Sequence, residues 1–130
     1  FDQKKHPQKI FNAYNDSKGV TEAFNKNLLK RINNEFNADF DLDQFLHWES
    51  YDPETGTARS FLISKIDRQG DRRGLDMQVN SHEWETIHTE ISQKYTDDVV
   101  SWLAGQAQLE LDTDFTDNQK RYKNYIFKIG

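Results

Sequence analysis

The sequence predicts an α+β fold, and three patterns in it carry that prediction. Large apolar side chains recur every fourth residue at Val20, Phe24, Leu28, Ile32 and Phe36, the spacing of one helix face. From Leu46 the period falls to two, with Leu46, Trp48 and Ser50 opposing His47, Glu49 and Tyr51, as in antiparallel strands joined by short turns. A second helix signal opens at Thr96, and two further alternating runs follow it to the end of the chain. The pattern is therefore one helix with several antiparallel strands, then a last helix and a terminal hairpin.

Length and composition bound what such a chain can be. Its 130 residues suffice for one domain with a core that needs neither disulfide nor metal. Lys and Arg number 17 against 22 Asp and Glu, a net charge of −5, so neither nucleic acid nor an anionic membrane is an expected partner. Cysteine is absent, which removes disulfide frameworks, thiolate metal sites and cysteine nucleophiles together. No apolar run approaches a membrane span or a signal-peptide core, and a cytoplasmic location is expected. The chain opens on Phe1-Asp2-Gln3-Lys4-Lys5 rather than on a methionine, so it is expected to begin inside a longer protein.

Taken in order, residues 1–9 are polar, and His6-Pro7 is expected to break any regular element before Ile10 and Phe11 open a short helix to about Tyr14. Asn15-Asp16-Ser17-Lys18-Gly19 reads as a turn. The helix from Val20 to Phe36 follows, and its four-residue stripe, supported by Ala23 and Leu29, is expected to face the core, each large side chain contributing about 1.5–3 kcal/mol when buried. Asn37 is placed to end it, and Asp41 to cap a further short turn. A hairpin comes next, from Leu46 through Asp52-Pro53-Glu54-Thr55-Gly56 to about Ile66. Residues 67–74 read as a loop. Leu75, Met77 and Val79 alternate with Asp76, Gln78 and Asn80 as a third strand, ended by a turn at Ser81-His82-Glu83.

The stretch from Trp84 to Tyr95 carries the chemistry. As a strand it sends Trp84, Thr86, His88, Glu90 and Ser92 to one side and Ile87, Thr89 and Ile91 to the other. A row holding a carboxylate, a hydroxyl and an imidazole needs solvent, polar partners or a ligand, and Glu90 and Ser92 are its candidate binding groups. The plain alternative is an exposed strand face or a structural ion pair. Thr96 then caps a helix with Asp97 and Asp98 in its first turn, Val99, Val100, Trp102 and Leu103 on its expected core face, and Gly105 at its end. Leu109, Leu111 and Phe115, then Tyr122, Tyr125 and Phe127, form the terminal hairpin around residues 116–120.

Other chemistries find little support. His6, His47, His82 and His88 form no pair at the helical spacing of a zinc site, and no metal is expected. Glu83, Glu85 and Glu90 offer carboxylate pairs too freely to single out a glycosidase. There is no Gly-x-Ser-x-Gly nucleophile turn, and the six glycines are scattered, so neither a phosphate-cradling loop nor a dinucleotide fingerprint is present.

Two blocks resemble a known family. Ala13-Tyr14-Asn15-Asp16-Ser17-Lys18-Gly19-Val20-Thr21-Glu22-Ala23-Phe24-Asn25-Lys26-Asn27-Leu28-Leu29 and Glu85-Thr86-Ile87-His88-Thr89-Glu90-Ile91-Ser92-Gln93-Lys94-Tyr95 are similar to the histidine-specific, S-adenosylmethionine-dependent methyltransferases of the ergothioneine pathway and their relatives. The resemblance implies that residues 1–92 are mostly a substrate-binding subdomain. It implies that 93–130 are the C-terminal end of a Rossmann-like methyltransferase sheet, the whole being the C-terminal part of a larger enzyme.

It implies that Tyr14, with Thr21 near it, holds the amino-acid end of a histidine-like substrate, and that Glu90 and Ser92 grip its imidazole, with no catalytic residue assigned. A carboxylate accepting an imidazole N–H forms a charge-assisted bond and favours the protonated ring. Ser60 stands where the family's histidine enzymes place a methionine in the imidazole pocket, and so is a candidate pocket wall. The S-adenosylmethionine loop lies upstream in the family, so this chain alone is expected to bind no cofactor, to be inactive and to self-associate. The alternative function is a non-catalytic module that binds a small ligand or a protein.

Overall fold

The computed structural model describes residues 1–72 and 77–130. The order of elements is α1 (Pro7–Tyr14), α2 (Val20–Phe36), a 3-10 turn (Leu42–Gln44), β1 (Phe45–Asp52), β2 (Thr57–Ser64), β3 (Arg68–Arg72), β4 (Met77–Ser81), β5 (Thr86–Gln93), α3 (Asp97–Gln106), β6 (Leu109–Thr116) and β7 (Lys123–Ile129). The fold is α+β. One sheet has the strand order β1-β2-β5, and two hairpins, β3-β4 and β6-β7, stand beside it in the chain. Two compact units divide these elements: Phe11–Ser50 with Arg59–Ile91, and Phe1–Ile10 with Tyr51–Ala58 and Ser92–Gly130.

In the first of these units α2 supplies the core through Leu29, which was expected beside the stripe, while most of the stripe itself turns out. Leu29 is buried with Phe45 and Leu62, and Phe40, Leu42 and Ile87 close around them. Most of the stripe expected in the core is outside: Val20 is 65 % and Phe24 71 % exposed, and Leu28 and Phe36 are exposed as well, while Ile32 is half-buried. The reason lies in what the neighbouring stripe carries. Asn25 is buried because its amide donates to the Phe61 carbonyl at 3.0 Å, and Asn33 exchanges two hydrogen bonds with the Phe40 backbone, at 2.7 and 2.8 Å. A buried amide whose bonds are all made costs little, so the polar stripe turns inward with Leu29.

The start of α2 follows from the turn before it. Gly19 takes a left-handed backbone (φ 68), a conformation open to glycine at little cost. That geometry lets Asp16 accept from the amides of Val20 and Thr21, both at 2.9 Å. The Thr21 amide first, then the Val20 amide, hold the Asp16 carboxyl down from its ordinary 3.8 to about 2. A carboxyl whose folded pKa is depressed stabilises the fold above its unfolded pKa, and that contribution is lost as pH falls from about 4 to about 2. Asp16→Ala is thus expected to lower the melting temperature near neutral pH and to leave it almost unchanged near pH 2. Thermal melts by circular dichroism at both pH values check this, and an equal loss at both would contradict it.

Four more expectations need correction. His6-Pro7 starts a helix instead of breaking one: Pro7 occupies the first helical position, where its missing N–H costs nothing, and His6 Nδ1 accepts from the Gln8 amide at 3.1 Å. Residues 67–74 are not simply a loop, since Arg68–Arg72 pairs antiparallel with Met77–Ser81; Leu75 and Asp76 of the expected strand lie outside the described residues. Trp84 and Tyr95 are not in β5. Trp84 sits in a turn with φ 67, its amide donating to the Ser64 carbonyl at 2.7 Å.

The last correction is in α3, where the buried pair is Val100 and Ala104, with Val99, Trp102 and Leu103 exposed. The helix runs past Gly105 to Gln106, and its cap is the Ala107 amide. The expected Thr96 cap is present, its hydroxyl accepting from the Val99 amide. In the same unit residues 1–4 form an extended ribbon: the Tyr95 amide donates to the Asp2 carbonyl at 3.0 Å and the Lys4 amide to the Tyr95 carbonyl at 2.8 Å. Phe1 packs edge-on against Tyr95 and Tyr125.

Candidate functional site

A groove of about 330 Å³ runs between α2 and β5 within the unit built around Leu29, lined by Phe24, Asn25, Asn27, Leu28, Arg31, Thr89 and Glu90. The helical residues fall at the spacing of one helix face, which is why a single α2 surface can wall it. The volume lies at the small end of ligand sites. Phe24 and Leu28 give it apolar wall, Glu90 an acceptor carboxylate, and Arg31 a guanidinium that also pairs with Glu35 at 3.0 Å. Glu90 is exposed, and β5 alternates as expected as far as Glu90, Ile87 and Thr89 being more buried than Thr86, His88 and Glu90, but the pattern breaks beyond it, where Ile91 is exposed and Ser92 half-buried.

Asn25 connects this groove to Tyr14. Its amide nitrogen lies 2.9 Å from His47 Nδ1, and His47 Nε2 lies 3.1 Å from the Tyr14 carbonyl oxygen. An amide nitrogen can only donate, so Nδ1 is the acceptor and Nε2 carries the ring proton. His47 therefore satisfies a carbonyl at the end of α1, and Tyr14 is tied through His47 and Asn25 to the wall facing Glu90. Neither Asn25 nor His47 stood out in the sequence. The available signal was an asparagine four residues before a core leucine on a helix, a place where an amide must have buried partners.

Thr21 sits in the first turn of α2, its hydroxyl donating to the Ala13 carbonyl at 3.4 Å. Ser60 is buried on β2 and donates to the buried carboxylate of Glu49 at 2.5 Å; its backbone carbonyl accepts from the Thr89 hydroxyl at 3.0 Å. Glu49 was read only as one position in an alternating strand. Tyr14, Thr21, Ser60 and Glu90 thus share a compact unit, but of these only Glu90 lines the groove. Ser92 belongs to the other unit, where its hydroxyl accepts from Lys94 Nζ at 2.7 Å. Among the described residues no group of three His, Asp or Glu side chains is placed to hold a metal ion, and no helix is long and apolar enough to cross a membrane.

Residues 1–129 match the model of a family described as histidine-specific, S-adenosylmethionine-dependent methyltransferases. The chain belongs to that family. It is similar to the histidine N-alpha-methyltransferase of Mycolicibacterium smegmatis, 35 % identical over 104 residues, covering 79 % of this chain and 32 % of that enzyme. A second similar protein is the histidine N-alpha-methyltransferase of Mycobacterium tuberculosis, 36 % identical over 100 residues, covering 76 % of the chain and 31 % of the relative. The chain spans about a third of the length of these curated relatives.

Two places where backbone amides or a glycine could meet a ligand are already occupied by protein groups. The free amides at the start of α2, which would otherwise meet an anionic group, are taken up by Asp16. Gly56 is closed in: a Cβ there would lie 2.6 Å from the Lys4 side chain and 2.7 Å from the Lys94 carbonyl, so it packs against protein. The chemistry these residues can supply is recognition: an apolar-walled groove with an acceptor carboxylate at its edge.

Proposed function

We propose that this chain is the substrate-binding, C-terminal portion of an S-adenosylmethionine-dependent N-methyltransferase acting on histidine or a similar amino acid. Residues up to about 92 are mostly its substrate-binding subdomain, and 93–130 complete a Rossmann-like sheet. Glu90 accepts an N–H of the substrate ring, Ser92 contacts the ring's other polar edge, and Tyr14, with Thr21 nearby, holds the amino-acid end. The observation that carries the reading is the Glu90 carboxylate standing exposed in a groove of about 330 Å³, in a chain matched by the family over residues 1–129.

What these groups contribute is orientation. A nucleophilic amine held in line with its methyl donor gains most of its advantage from fixed geometry and excluded water. Glu90, Ser92 and Tyr14 act on parts of the amino acid away from that bond, so they set which molecule is bound and how it lies. The serine at position 60, where the family's histidine enzymes carry a methionine, is buried and bonded to Glu49, so any influence on the substrate would act through that buried pair. The cofactor is held by the rest of the protein.

Calorimetric titration of the purified chain with S-adenosylhomocysteine and then with histidine tests the division of labour. The expected result is no heat from the first ligand; tight binding of it would overturn the assignment of the cofactor to the remaining part. Methyl transfer to histidine by the whole protein tests the activity, and histidine binding without any transfer would leave a binding module in its place.

A further inference from the structure

We propose that Lys94 sets the hydrogen-bonding direction of the Ser92 hydroxyl and thereby selects the protonation state of the substrate ring; the proposal rests on the substrate role given to Ser92 above. Lys94 follows β5 directly and is 3 % exposed. Its Nζ donates to Ser92 Oγ at 2.7 Å and pairs with Asp2 Oδ2 at 2.9 Å. A buried ammonium requires such a partner, and Asp2 is held in place for it because its carbonyl receives the Tyr95 amide at 3.0 Å.

The consequence falls on the serine. A hydroxyl has one proton to give and two lone pairs to accept with, and an ammonium can only donate. Lys94 therefore occupies a lone pair of Ser92, and a cationic donor on that oxygen strengthens its O–H as a donor while weakening the remaining lone pair as an acceptor. Ser92 is turned into a group that seeks a ring nitrogen carrying a lone pair.

Neutral imidazole has such a nitrogen and the imidazolium has none. A carboxylate alone favours the doubly protonated ring; Ser92 held by Lys94 disfavours it, since neither nitrogen of the cation can accept. Lys94 is thus a positioning residue with a selective effect, acting through Ser92 without touching the substrate.

The test is a double-mutant cycle on KM and kcat for histidine in the whole protein, using Lys94→Met, Ser92→Ala and the pair. Each single change is expected to raise KM roughly three- to tenfold, the worth of one neutral hydrogen bond, with kcat little altered, and the pair to cost no more than Ser92→Ala alone. Additive losses would show Lys94 to be a structural tie between Asp2 and the strand, which overturns this proposal and leaves the substrate role of Ser92 standing. An unchanged KM in Ser92→Ala would overturn that role and the proposal together. Should Lys94→Met fail to fold, Lys94→Arg keeps the charge beside Asp2 while moving the donor, and reads the same cycle.

Discussion

Replacing Phe45 by alanine is expected to cost about 3–5 kcal/mol of stability, the range for removing a buried phenyl ring. Phe45 is 1 % exposed and packs in one cluster with Leu29 and Leu62, and its ring stands edge-on to Phe40 with centroids 6.0 Å apart. With few other fully buried large side chains in that unit, nothing near is placed to refill the space. Stabilities of this order compare with those of whole small domains, about 5–15 kcal/mol, so the variant is expected to be largely unfolded at mild temperature. Urea titration followed by tryptophan fluorescence measures it, with Phe24→Ala as the comparison. Phe24 is 71 % exposed, and its loss is expected to stay within about 0.5 kcal/mol. Equal losses in the two variants would mean that the core is misassigned.

That pair of residues also shows what a sequence can and cannot reveal. The α2 boundaries were legible to the residue, Val20 to Phe36, because periodicity and the Asn37 cap are local signals. Its buried face was legible only at Leu29. Counting apolar side chains selects Val20, Phe24 and Leu28, while the face that packs is chosen by bonds that Asn25 and Asn33 make to residues distant in sequence. The same limit explains α3, where small Ala104 packs and Trp102 does not. In β5 the alternation was legible as far as Glu90 because strand geometry alone dictates it, and it brought out that carboxylate. The partners of Lys94 and His47 were not legible, since they lie far away in sequence: Asp2 for one and Asn25 for the other.

Glu90→Ala in the whole protein is expected to lower kcat/KM for histidine by about 10- to 100-fold, almost all of it through KM. A hydrogen bond to a charged group is worth about 1.5–3 kcal/mol, and each 1.4 kcal/mol is a factor of ten. The split between KM and kcat follows from the proposed position: with Glu90 at the substrate's ring, its bond is the same before and during methyl transfer and adds to binding alone. Glu90→Gln keeps an acceptor oxygen of nearly the same shape and loses the charge, so it should fall between the wild type and alanine. Phenylalanine, which has no ring N–H to offer, should bind equally weakly to all three proteins, because the carboxylate gives it no partner. Steady-state rates with saturating S-adenosylmethionine measure both constants. If alanine at position 90 left the histidine KM unchanged, the groove between α2 and β5 would not be the ring's site; a fall in kcat alone would place Glu90 at the reacting amine.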